Sequence, residues 1–202
     1  YNETKNKAIS PTPTIGGVGL IKNINNVMTK NFKKIENHIL IIGKTLGHLY
    51  QSEFFREVLN FNEGPPPEVN LFNEKNNGLT VLKLIICKLV ESVHDVSSGG
   101  ILVTLSEMCI SSKIGAIISI PGNNIKPHEY LFGEDQSRYI IEVEEKNLKQ
   151  VYNVLKSNSI YFENIGKTQK DYMEVENQLK ISLNELSESH KHWFENYFKE
   201  SA

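Results

Sequence analysis

The chain is short of the residues that mark several large protein classes. Its 202 residues include two cysteines, one tryptophan and three methionines. Two cysteines cannot build a disulfide framework, and no Cys or His pair stands at zinc-ligand spacing. Cys87 and Cys109 both lie in apolar, helical-looking stretches and read as buried, reduced thiols. No apolar run approaches the roughly 20 residues of a membrane-spanning helix. No basic start followed by an apolar segment marks a secretory signal. A net charge of −2 argues against a general nucleic-acid binder, which would carry a basic face. A GxxxxGK[ST] phosphate loop is missing too, although Lys44 and Lys167 each follow a glycine. With 39% hydrophobic and 23% charged residues, the composition reads as that of an ordinary soluble protein of one large or two small domains, and the reduced thiols make the expected compartment cytoplasmic. The chain opens Tyr1-Asn2-Glu3 without a methionine, and so reads as a piece of a longer polypeptide.

Arginine is scarce as well. Of 22 basic residues, only Arg56 and Arg138 are arginine. Arg138 ends the octapeptide LFGEDQSR (131–138), which packs Glu134, Asp135, Gln136 and Ser137 just before the apolar run Tyr139, Ile140, Ile141. A planar guanidinium beside carboxylates points to a geometric role. The plainer reading is a surface loop with local salt bridges.

Residues 1–21 read as a hairpin whose second strand holds Thr14, Ile15, Val18, Leu20 and Ile21, broken from the first by Pro11 and Pro13. Residues 38–43, HILIIG, have the continuous apolar pattern of a strand buried on both faces. Helices are expected over 52–61, 68–90, 101–111 and 147–156. In the second, Leu79, Leu82, Ile85, Ile86 and Leu89 form the expected inward stripe. Strands are expected over 92–96, 115–120, 139–143, 161–167 and 174–181. A final helix starts at Ser182 with a Ser182/Glu185 capping box, and its buried face takes Leu183, Leu186, Trp193, Phe194 and Tyr197. Alternating helices and strands predict an α/β or α+β fold, a mixed sheet flanked by helices and preceded by an orphaned hairpin.

A second motif, HDVSSGG (94–100), stands at a strand-to-helix junction, where open α/β sheets place ligands. Gly99 and Gly100 let backbone amides approach a ligand closely, and the following helix start suits a phosphate. Asp95 has the chemistry to hold Mg²⁺, and Ser97 to contact phosphate or ion. Against this stands a purely structural reading. Ser97 or Ser98 caps the helix, Asp95 ties down a loop, and His94 packs in the core.

Together, TPTIGGVGLI (12–21), LGHLYQSEFFREV (46–58), PPEVNL (66–71), HDVSSGG and LFGEDQSR resemble the synthetase subunit of the phosphoribosylformylglycinamidine synthases. These belong to the aminoimidazole ribonucleotide synthetase superfamily. The resemblance spans nearly the whole chain in the right order. It implies a protein of two similar halves, each with a small barrel-forming unit and a larger α/β unit. Residues 1–36 would then end the second barrel-forming unit, and 37–202 would be the C-terminal α/β domain. The implied reaction is ATP-dependent amidation of formylglycinamide ribonucleotide, with ammonia from a glutaminase subunit and with a small accessory subunit. The family's catalytic histidines and ATP-gripping lysine belong to the first half, so the resemblance implies no catalytic residue in this chain. It implies Asp95 as a Mg²⁺ ligand and Ser97 as a contact to ATP or ADP, beside Gly99 and Gly100, which the motif itself offers as nucleotide contacts. Glu134, Gln136 and Ser137 are implied contacts to substrate or phosphate. Where the family has Ser-Asp-Gly-Gly, this chain has Ser97-Ser98-Gly99-Gly100 and lacks the carboxylate. Two alternatives stay open: a structural half with a degenerate nucleotide site, and another superfamily enzyme such as a small-molecule kinase. The readings converge on one geometric expectation, that Asp95 and Glu134 share a cleft.

Overall fold

The computed structural model describes residues 3–9, 14–122 and 124–200. Two short strands, β1 (Glu3–Thr4) and β2 (Lys7–Ala8), pair antiparallel as a small separate sheet. The expected second strand over 14–21 does not form. Ile15 and Val18 stand 91% and 105% exposed. This segment has no partner strand among the described residues. A strand is held by its neighbour's hydrogen bonds, and no described residue lies within 4 Å of a side chain added at Gly16, Gly17 or Gly19. Pro11 and Pro13 lie outside the described residues.

The body is one mixed sheet of seven strands. They are β3 (His38–Ile42), β4 (Ser92–Asp95), β5 (Gly115–Ile118), β6 (Tyr139–Val143), β7 (Phe162–Gln169), β8 (Tyr172–Val175) and β9 (Leu179–Ser182). Their order is β4-β6-β3-β7-β5-β8-β9. Every neighbouring pair is antiparallel except β5 and β8. The expected single strand over 174–181 is therefore split. Asn177 adopts a left-handed φ of 59°, and the turn there folds β9 back on β8.

Helices α1 (Leu71–Ile86), α2 (Gly100–Ser112), α3 (Pro127–Phe132), α4 (Glu145–Ser157) and α5 (Leu183–Glu200) cover the sheet. Strand β3 explains the layering. Its Ile39 and Ile41 point into a core shared with Ile101, Leu105 and Met108 of α2. Leu40 and Ile42 point the other way, toward Val81 and Leu84 of α1 and Val151 and Leu155 of α4. Successive side chains of a strand alternate faces, so a run apolar at every position must be covered twice.

Four expectations fail in instructive ways. The buried face of α1 is Asn77, Thr80, Val81 and Leu84, while Leu79, Leu82 and Ile86 face outward. Of the expected stripe only Leu89, beyond the helix, is fully buried, and Ile85 partly. Periodicity finds an apolar stripe but does not say which side meets the sheet. At α5, Leu183 and Leu186 pack against the core but Trp193 is 63% exposed. It stacks on Tyr197 at 5.7 Å, along the part of the helix beyond the sheet. Both cysteines are free, but only Cys109 is buried and Cys87 is exposed. Helix α3 was not foreseen, although Pro127 at its first position and Glu129 at its third are start signals in the sequence; Glu129 Oε2 accepts from the Lys126 N–H at 3.0 Å. The expected helix over 52–61 is reduced to one π-helical turn, Phe54–Val58.

Candidate functional site

The two motifs meet at one end of the sheet. Strands β4 and β6 pair in register Asp95↔Tyr139, and the Val96 N–H donates to the Arg138 carbonyl at 2.9 Å. This brings the ends of HDVSSGG and LFGEDQSR side by side. Gly100 makes the close approach possible. Its φ is +69°, and a Cβ there would lie 2.8 Å from the carbonyl oxygens of Leu131 and Gly133. Only glycine tolerates both conditions.

The charged side chains of the octapeptide fasten its own turn and three neighbouring segments. Arg138 is fully buried. Its Nε donates to the Asp135 carbonyl (3.0 Å), Nη1 to Thr45 Oγ1 (3.2 Å) and Nη2 to the Gly133 carbonyl (2.5 Å). Burial lowers its proton affinity, while the negative charge of Asp135 works in the opposite direction. Asp135 Oδ2 accepts from the Leu46 and Gly47 amides at 2.9 Å each, and Oδ1 from the His48 amide at 3.2 Å. Glu134 Oε1 accepts from the Gly99 and Glu53 amides at 2.8 Å each. The geometric role foreseen for Arg138 is thus internal, and the surface-loop alternative fails.

Two clefts open around this clamp. One, of about 360 Å³, is lined by Glu74, Asp95, Ser97, Ser98, Glu134 and Tyr139 among others. The other, of about 600 Å³, lies between α1 and the 46–50 loop, with Lys44, Tyr50, Phe55 and Asn73 on its walls. Gln136 and Ser137 line both. Ser137 has a left-handed φ of 63°, and its carbonyl accepts from Asn77 Nδ2 at 2.8 Å. The polar Asn77 on the inward face of α1 therefore anchors the turn between the clefts.

Asp95 and Glu134 do share a cleft. Asp95, Ser97, Glu134, Gln136 and Ser137 all line it, and Gly99 touches Glu134 beside it. Helix α2 follows Gly99, a left-handed N-cap with no side-chain cap bond, so neither Ser97 nor Ser98 caps it. His94 is no plain core residue. Its Nε2 lies 2.8 Å from Glu107 Oε2 and its Nδ1 3.2 Å from Asp95 Oδ1. Asp95 is largely exposed.

The smaller cleft is acidic, with Glu74, Asp95 and Glu134 around it and only the buried Arg138 for balance. Burial, then the charges of Glu74 and Asp95, push the Tyr139 hydroxyl above its ordinary range. Among the described residues no group of three or more His, Cys, Asp or Glu side chains has the arrangement of a metal cage. One exposed carboxylate fits an ion held partly by phosphate oxygens and water, the usual manner of Mg²⁺. Glu74 and Asn77 were not foreseen, and nothing in the sequence marks them, because α1 joins the site only in three dimensions.

The fold is thus an antiparallel-rich α/β/α domain whose two cleft-lining motifs are held together by one buried arginine. Residues 38–176 match the family described as AIR synthase related protein, C-terminal domain, and the chain belongs to that family. More particularly, it is similar to the phosphoribosylformylglycinamidine synthase subunit PurL of Pelagibacter ubique (strain HTCC1062). The two are 50% identical over 199 residues, 98% of this chain and 27% of that protein. The same subunit from Rhodopseudomonas palustris (strain BisB5) is 41% identical over 197 residues, 98% of this chain and 27% of that protein. The chain thus spans about 27% of the length of the curated relatives it matches. Among solved structures, T. maritima PurL complexed with FGAR shares the fold. The TM-score is 0.66 at 17% identity, covering 81% of this chain and 30% of that one. No helix among the described residues is long and apolar enough to cross a membrane.

Proposed function

We propose that the chain is the C-terminal portion of a phosphoribosylformylglycinamidine synthase, acting in the cytoplasm in purine biosynthesis and inactive alone. Residues 1–36 end a barrel-forming unit and residues 37–202 form the α/β domain of the second half. The longer protein amidates formylglycinamide ribonucleotide. ATP phosphorylates the amide oxygen, and ammonia supplied by a glutaminase subunit, with a small accessory subunit, displaces the phosphate. The observation that carries this reading is the 50% identity to a synthetase subunit across 98% of the chain. It also favours a synthetase over a small-molecule kinase.

Within this portion, Asp95 is the residue to hold Mg²⁺, and Ser97, Gly99 and Gly100 form the loop facing ATP or ADP. Bound there, Mg²⁺ would neutralise phosphate charge in a cleft that is otherwise acidic. Of Glu134, Gln136 and Ser137, the last two carry side chains without a hydrogen bond to other described residues and are free to take substrate or phosphate.

A second reading has a specific observation behind it. The Gly99 amide, the first N–H a phosphate would meet, already holds Glu134. On that reading the nucleotide site is degenerate and this half supports the active one. Calorimetric titration of Mg²⁺–ADP separates the two. Weak or no binding by the isolated chain is expected; tight binding abolished by Asp95→Asn would establish a working nucleotide site here. For the reaction itself, the isolated chain should form no product from formylglycinamide ribonucleotide, ATP and ammonia. Turnover by this chain alone would refute the proposal.

A further inference from the structure

We propose that Glu134 is an internal anion that closes the amino end of α2 to phosphate. It acts as a positioning residue that locks two loops together. This deepens the second reading, in which the nucleotide site is degenerate, and rests on it for the identity of the excluded ligand.

The argument starts from backbone amides. The first N–H groups of a helix lack partners within it and carry partial positive charge, so they attract an anion. Helix α2 has no acidic residue in its first turn and no side-chain cap. Its N-cap amide, that of Gly99, instead meets Glu134 Oε1, an oxygen brought from 35 residues away. The same oxygen takes the Glu53 amide, from the turn that leads into Phe54–Val58. One carboxylate oxygen therefore joins three segments at the rim of the acidic cleft. Asp135 repeats the pattern next door, with three consecutive amides, 46 to 48, converging on it. Convergent amides of this kind bind phosphate in other proteins when nothing internal fills them. Here both sets are filled from within by adjacent residues of one motif. A free phosphate must displace Glu134, which competes for the same amides as an intramolecular ligand already held in place by the fold.

The test uses the intact chain, with inorganic phosphate and formate as probes and chloride of equal ionic strength as control. Amide NMR shifts of Gly99 and Glu53 report occupancy, and melting temperature reports the lock. In the wild type neither probe should move these amides beyond the chloride control. Glu134→Ala should lower the melting temperature. Phosphate or formate should then restore part of the loss and shift both amides, with an apparent affinity about tenfold or more above wild type. Should Glu134→Ala fail to fold, Glu134→Gln keeps one acceptor oxygen and should show the same gain in weaker form. Wild-type amides that respond to phosphate as strongly as the variant's would overturn the proposal, as would a folded variant indifferent to both probes. The nucleotide reading is judged separately, by whether Asp95→Asn changes the response of Ser97 to Mg²⁺–ADP. Loss of that reading would leave the phosphate and formate results to decide on Glu134.

Discussion

Replacing Arg138 with methionine tests the clamp most directly. Methionine is long and apolar, so it fills much of the space while removing the charge and all five N–H donors. Three acceptors then lose their partner: the Asp135 carbonyl, Thr45 Oγ1 and the Gly133 carbonyl. The Asp135 carboxylate, whose Oδ2 lies 3.8 Å from Nη1, also loses its buried counter-charge. Breaking a buried pair by removing one partner costs about 3–5 kcal/mol. For a chain of this length each kcal/mol shifts the melting temperature by about 2–4 °C, so a drop of roughly 6–20 °C is expected. Arg138→Lys keeps the charge but not the planar fork and should fall between the two. Thermal unfolding followed by circular dichroism provides the assay, and urea titration with unchanged slope guards against a changed unfolded state. A methionine variant within about 1 kcal/mol of wild type would refute the reasoning, because the three bonds would then contribute nothing net.

Glu142 is fully buried and accepts from the Lys33 and Lys34 amides, Asn37 Nδ2 and Ser92 Oγ. Glu142→Gln would point an NH₂ at donors and should lose about 2–3 kcal/mol in urea titration. Gly100→Ala combines a left-handed φ with contact to two carbonyl oxygens and should cost at least about 1–2 kcal/mol. Gly16→Ala, in open space, should leave the melting temperature unchanged. Burial pushes the Glu107 carboxyl up, but hydrogen bonds from Lys30 and His94 outweigh it and hold the group below its ordinary value. Its contribution to stability is therefore full above the ordinary carboxylate range and is lost as pH falls through the lowered value. Urea midpoints measured between about pH 6 and about pH 3 should fall less steeply for Glu107→Gln than for wild type.

Much of the core was legible because it obeys simple periods. The HILII run is doubly buried, α2 turns Leu102, Leu105, Met108 and Cys109 inward, and α4 buries Val151 and Leu155. The orientation of α1 was not legible. Its inward Asn77 and Thr80 look like surface residues until Asn77 is seen holding the Ser137 carbonyl. The site was half legible. Glycines, an aspartate and serines at a strand-to-helix junction point to a ligand loop by local chemistry. The engagement of Glu134 and Asp135 by backbone amides was not visible, since an amide donor leaves no mark in the residue type that bears it.

The sequence by itself determined the alternation of elements, the doubly covered strand and the two polar motifs, because each depends on near neighbours and their repeat. Only the tertiary structure decided that the two motifs face one cleft, that Arg138 is interior, and that the acidic pair of the octapeptide binds the chain's own backbone. Those outcomes need, beside the local bonds of Arg138, hydrogen bonds between residues 35 to 93 positions apart. Partners so distant are chosen by how the sheet and its helices pack, which no local pattern specifies.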